Sequence, residues 1–137
     1  ETPNCQFFLP AASTISREML QNTINHYNVN VVLTDSHIYD LMQIADTAIA
    51  ASGTVTLEAA ILDLPVVVIY KMSPITYFIG RRLVKIPNIS LPNIVMQERM
   101  LPELLQSEVT AENIAREIQT LMKYSPHAAV VHAQLRK

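Results

Sequence analysis

At 137 residues the chain is long enough for one domain of ordinary size. Half of its residues are hydrophobic and 16% are charged, a balance that builds a core and excludes disorder over most of the length. A net charge of −2 excludes a strongly basic nucleic-acid module, so no nucleic-acid partner is expected.

The chain opens on Glu1 rather than Met, as expected of an excised or processed piece, and no basic segment marks a signal peptide. Its longest strongly apolar run, Leu64–Tyr70, is far short of the roughly 20 residues that span a membrane. The single cysteine, Cys5, has no internal disulfide partner and reads as a small buried hydrophobe beside Phe7, Phe8 and Leu9. Gly53 and Gly80 are the only glycines, which excludes multi-glycine phosphate loops.

In chain order, Gln6–Leu9 reads as a strand. Ser16–Tyr27 reads as a helix capped by Ser16, with Met19, Leu20, Ile24 and Tyr27 on one side. Asn30–Leu33 is a second strand, Ile38–Ile44 a short helix and Thr47–Ala51 a third strand. Thr54–Leu62 is helical and ends before Pro65. Val66–Tyr70 lacks polar alternation, the mark of a strand buried on both faces in a parallel sheet. Pro74–Lys85 reads as a helix, Ile89–Leu91 as a short strand and Glu98–Gln106 as a short helix. Thr110–Met122 is a helix with Thr110 as cap, and Ser125–Lys137 is a tail with no assigned structure. The alternation predicts one α/β domain over residues 1–137, with a parallel sheet flanked by helices.

Such sheets bind ligands beyond the carboxyl ends of their strands. Three loops meet that description. In Ala51-Ser52-Gly53-Thr54 a strand runs into a helix whose first N–H groups are unpaired and positively polarised. Gly53 allows close backbone approach and Ser52 and Thr54 add hydroxyls, so the loop suits a phosphate or diphosphate; ordinary N-capping would use the same residues. Glu58 follows one turn later in an apolar helix, where its carboxylate fits sugar hydroxyls or a local ion pair. The second loop carries Lys71 and opens a stretch, Leu64–Gln97, with four cations and no acidic residue; it suits a phosphorylated ligand, an anionic membrane surface, or simply solvent. In the third, Ser90-Leu91-Pro92-Asn93, Asn93 offers a donor and an acceptor beside a rigid Pro, for a ligand or for the turn itself. The four histidines show no ligand spacing, and no metal site is expected.

The ordered set Ala51-Ser52-Gly53-Thr54-Val55-Thr56-Leu57-Glu58, Leu64–Lys71, Ser90-Leu91-Pro92-Asn93-Ile94 and Pro102-Glu103-Leu104-Leu105-Gln106 closely resembles the C-terminal half of the lipid-A-disaccharide synthase family. The resemblance implies a Rossmann-like half of a two-domain GT-B glycosyltransferase. The implied reaction joins UDP-2,3-diacylglucosamine to 2,3-diacylglucosamine 1-phosphate, giving lipid A disaccharide 1-phosphate and UDP. It is inverting and uses no metal or other cofactor. By position, Ser52, Gly53 and Thr54 would bind the diphosphate and Glu58 the ribose. Asn93 would line the pocket, with Tyr70 and Lys71 at its edge.

The implied partners are the UDP-sugar, the acylated glucosamine phosphate acceptor and the protein's own N-terminal domain, which would hold the catalytic base. The implied location is the cytoplasmic side of the inner membrane, as a peripheral protein. Other readings of the same residues are another GT-B UDP-sugar transferase or epimerase, and a non-catalytic sugar-nucleotide-binding domain.

Overall fold

A computed structural model of the chain describes residues 5–35, 37–73, 88–122 and 125–136. The contacts divide the chain into two compact units, Glu1–Leu41 and Met42–Lys137.

In the first unit β1 (Phe7–Pro10) and β2 (Val31–Thr34) pair in parallel, with Phe7 opposite Val31. A parallel pair needs a crossover, supplied here by α1 (Arg17–Tyr27). Ser16 caps α1 by accepting the Met19 N–H at 3.3 Å. Asn28 ends it in the left-handed region, at φ 49°, a conformation that Asn tolerates better than most residues. Of the expected apolar side, Ile24 is buried and Leu20 half-buried, whereas Met19 and Tyr27 are exposed. Arg17 pairs with Asp35, joining the start of α1 to the end of β2. Cys5 is a free thiol and only half-buried.

The unit boundary falls inside α2 (Ile38–Ile44). The second unit is built on three parallel strands, β3 (Ala48–Ala51), β4 (Val66–Tyr70) and β5 (Glu103–Leu105), in the order β3-β4-β5. β4 is the central strand. Successive strand residues point to opposite faces, yet Val66, Val67 and Val68 are all essentially inaccessible, so both faces are covered. The unbroken apolar run needed this position.

The β3–β4 crossover is α3 (Thr54–Ile61), and α4 (Leu91–Met96) packs against it. β5 runs through a 3-10 turn, Gln106–Glu108, to α5 (Ala111–Leu121), capped by Thr110 and packed on β3 and β4. Leu121 of α5 is fully buried. The last element is α6 (Pro126–Leu135), which packs on α5 through buried Ala128 and Val131.

Three sequence-based assignments in this unit change. Ile89–Leu91 is not a strand: Ser90 is the N-cap position of α4, and Leu91 and Pro92 are its first turn, where Pro's missing N–H costs nothing. Glu98–Gln106 is not a helix. Pro102 forbids a continuous one, and Glu103–Leu105 instead extends as β5 against Val68–Tyr70. The tail left unassigned is helical over Pro126–Leu135, with the Ser125 hydroxyl accepting the His127 N–H at 3.2 Å. The expected helix Pro74–Lys85 lies outside the described residues. No described helix is long and apolar enough to cross a membrane.

Candidate functional site

All three strands of the second sheet point the same way, so their carboxyl ends share one edge. Ala51 lies opposite Ile69, and Tyr70 opposite Leu105. Ser52, Tyr70, Lys71 and Gln106 therefore gather at that edge, with neighbouring strands about 5 Å apart.

The Ser52 N–H donates to the Ile69 carbonyl at 3.0 Å, carrying the ladder one residue past β3. Its hydroxyl donates to the Ile89 carbonyl at 3.2 Å. Gly53 caps α3 with no side chain, and the Thr56 hydroxyl donates to the Gly53 carbonyl at 2.7 Å. Gly53 is extended, at φ 166°, so its backbone does not require glycine. The space beside it is what distinguishes the position: a Cβ there would meet nothing within 4 Å. Thr54 is exposed at the first turn of α3. The result is an open hollow at a helix N-terminus, bordered by hydroxyls and orphan N–H groups.

Glu58 sits one turn further along α3, on the side that carries Thr54. It is half-buried, and its carboxylate has no hydrogen bond or ion pair among the described residues. Tyr70 ends β4 half-buried, and Lys71 follows it fully in solvent. The Met72 N–H donates to Gln106 Oε1 at 3.3 Å, fastening the loop after β4 to the end of β5.

Asn93 is placed differently. It is fully buried, and both ends of its amide are satisfied within the protein. Nδ2 donates to the Leu101 carbonyl at 2.9 Å and to Glu103 Oε1 at 2.8 Å. Oδ1 accepts the Met100 and Leu101 N–H groups, each at 2.9 Å. A carboxamide has two donor hydrogens and two acceptor lone pairs, so this side chain has no capacity left for a ligand. The structure thus brings Ser52, Gly53, Thr54, Glu58, Tyr70 and Lys71 to one sheet edge and puts Asn93 underneath, in the packing.

Glu103, Ser90 and Asn88 form the rest of that buried polar cluster, and no role was read for any of them in the sequence. A carboxylate between Pro102 and Leu104-Leu105 reads as a surface helix residue once the segment is taken as helical. Glu103 on a strand opposite Val68 faces a core instead.

The family model for lipid-A-disaccharide synthetase matches residues 1–136. The chain belongs to that family. Among curated members of the lipid-A-disaccharide synthase family, the protein of Geobacter sulfurreducens is 43% identical over 116 residues, or 85% of this chain and 30% of its own length. That of Geobacter metallireducens is 41% identical over 133 residues, or 97% and 35%. That of Pseudomonas putida is 35% identical over 123 residues, or 90% and 33%. The chain thus spans about a third of the length of the lipid-A-disaccharide synthases it matches.

Proposed function

We propose that this chain is the nucleotide-sugar-binding portion of a lipid-A-disaccharide synthase, from the C-terminal half of a GT-B glycosyltransferase. The reaction joins UDP-2,3-diacylglucosamine to 2,3-diacylglucosamine 1-phosphate and releases UDP. The observation that carries the reading is the hollow at the N-terminus of α3, where the space beside Gly53 is empty within 4 Å. A diphosphate there meets orphan N–H groups and the positive end of the helix, with the Thr54 and Ser52 hydroxyls beside it.

The chemistry follows from charge. As the glycosidic bond to UDP breaks, negative charge grows on the departing diphosphate. Fixed N–H dipoles aimed at that charge stabilise it more as it develops than before. Lys71, on the adjoining strand end, adds a cation near the same edge. The unpaired Glu58 carboxylate accepts hydrogen bonds from the ribose hydroxyls. Tyr70 borders the nucleotide, and Asn93 serves the pocket by packing. The acceptor sugar and the base that activates its hydroxyl belong to the protein's other domain. The enzyme works as a peripheral protein at the cytoplasmic side of the inner membrane.

Titrating UDP into the isotope-labelled protein tests the site. Amide shifts should concentrate at residues 52–58 and 70–72. Shifts confined to α1 or α6, or none at millimolar UDP, would overturn the assignment.

A further inference from the structure

Glu103 is a carboxylate on β5 with only 4% of its surface accessible. Burying a carboxylate is costly unless hydrogen bonds replace its water. Here they do. Oε1 accepts the Ser90 N–H at 2.8 Å, the Ser90 hydroxyl at 2.7 Å and an Asn93 Nδ2 hydrogen at 2.8 Å. Oε2 accepts the Ile89 N–H at 2.9 Å. Every one of these donors belongs to the segment Ile89–Asn93 that leads into α4. Asn88, just before it, donates to the Asn93 carbonyl at 3.2 Å and closes the segment on itself.

The far side of this segment faces the candidate site. The Ile89 carbonyl is the acceptor of the Ser52 hydroxyl, at 3.2 Å. Glu103 holds the Ile89 N–H, so it fixes the peptide on one side of Ile89 while the carbonyl on the other side aims at Ser52. A relay of two hydrogen-bonded steps runs from the sheet interior to the hollow at α3.

We propose that Glu103 is a positioning residue for the nucleotide pocket: it clamps Ile89 and Ser90, and through the Ile89 carbonyl it sets the orientation of the Ser52 hydroxyl beside the bound diphosphate. The inference rests on the nucleotide-binding reading above. It adds a residue whose action on the ligand is indirect. Three groups of one segment converge on a single oxygen of Glu103, more than holding a strand in register requires. A neutral amide of the same shape cannot replace that oxygen pair, because its NH2 would face an N–H donor of Ile89 or Ser90.

The test is a double-mutant cycle on UDP affinity in the full-length protein, using Glu103→Gln and Ser52→Ala. Glu103→Gln should weaken UDP binding about tenfold. Ser52→Ala should weaken it several-fold, and the double variant should be little worse than Glu103→Gln alone. Wild-type affinity in Glu103→Gln, or losses that multiply independently, overturns the proposal. Thermal melting shows whether Glu103→Gln remains folded. If it does not, Ser90→Ala, which removes one donor and leaves the Ser90 N–H in place, takes its part in the same cycle. Coupling to Ser52→Ala is again the expected result, and independence overturns the proposal. Failure of the wild-type protein to bind UDP would instead overturn the nucleotide reading, and this inference with it.

Discussion

Two polar regions of the second unit are built from the same functional groups and balanced in opposite ways. At the α3 N-terminus, the Glu58 carboxylate has no partner among the described residues and the space at Gly53 is empty. Around Glu103, each carboxylate oxygen accepts hydrogen bonds and the Asn93 amide is saturated. The difference separates groups that meet a ligand from groups that hold the site's shape. A buried donor left unmatched costs about 1–3 kcal/mol, so saturation is what burial demands. Open valence is tolerated where solvent or a ligand completes it. Residue type alone does not distinguish the two, since Asn93 and Glu58 are equally plausible as binding residues from the sequence.

The comparison breaks most visibly at Glu103. Glu103→Ala strands several buried donors at once and should cost on the order of 3 kcal/mol or more in urea unfolding. A loss below about 1 kcal/mol would mean that water replaces the carboxylate. Glu58→Ala should do the reverse. Unfolding stability should stay within about 0.5 kcal/mol of wild type. UDP affinity measured by calorimetry should fall by roughly 1.5–3 kcal/mol, the value of a hydrogen bond to a charged group. Pyrophosphate affinity should fall less, because the carboxylate repels phosphate and pairs with ribose.

Gly53→Ala sharpens the contrast within a single loop. The backbone is already extended and a Cβ meets nothing, so stability should hold within about 0.5 kcal/mol. The same methyl fills the hollow, and UDP affinity should drop about tenfold, or ~1.4 kcal/mol. Unchanged affinity would show that the diphosphate does not approach Gly53.

The smallest effect belongs to Asp63, between α3 and β4. Its carboxylate accepts from His132 Nδ1 at 3.0 Å and from Arg136 Nε at 2.8 Å, both near the end of the chain. Burial pushes its pKa up, but the hydrogen bonds and charges of His132 and Arg136 outweigh burial and hold it below the model value of 3.8. A carboxylate whose folded pKa is depressed adds stability above its unfolded pKa and loses it as pH falls through the folded one. Stability from this group should therefore be intact at pH 5 and decline below about pH 4. Asp63→Asn should cost under about 1 kcal/mol at pH 6 and make the acid limb of the stability curve shallower. Equal losses at pH 6 and pH 2.5 would assign the effect to packing.

Much of the architecture was legible. β4 announced itself by three valines without polar alternation, and the caps Ser16 and Thr110 marked two helix starts. The short elements after β4 were not legible. Glu98–Gln106 is rich in good helix formers, and local propensity favoured a helix. Pairing with β4 overrode it, and the three-residue strand is too short to show a period of its own. The cradle residues were legible because a strand-to-helix turn leaves a local signature. The Glu103 cluster was not, since its meaning depends on contacts with Ser90 and Asn93, 13 and 10 residues away.

The Asp63 clasp also bears on the order in which the chain assembles. His132 and Arg136 reach Asp63 across 69 and 73 residues. Contacts that close such long loops form late, after local elements have reduced the entropy of closure. The turn that presents Asp63 is available once β3, α3 and β4 have come together. Before the sheet exists, α6 has little to dock on. In pulse-labelled hydrogen exchange the amides of α6 should therefore gain protection after those of β3 and β4. The final helix acts as a latch, whose engagement reports that the sheet beneath the nucleotide edge is complete.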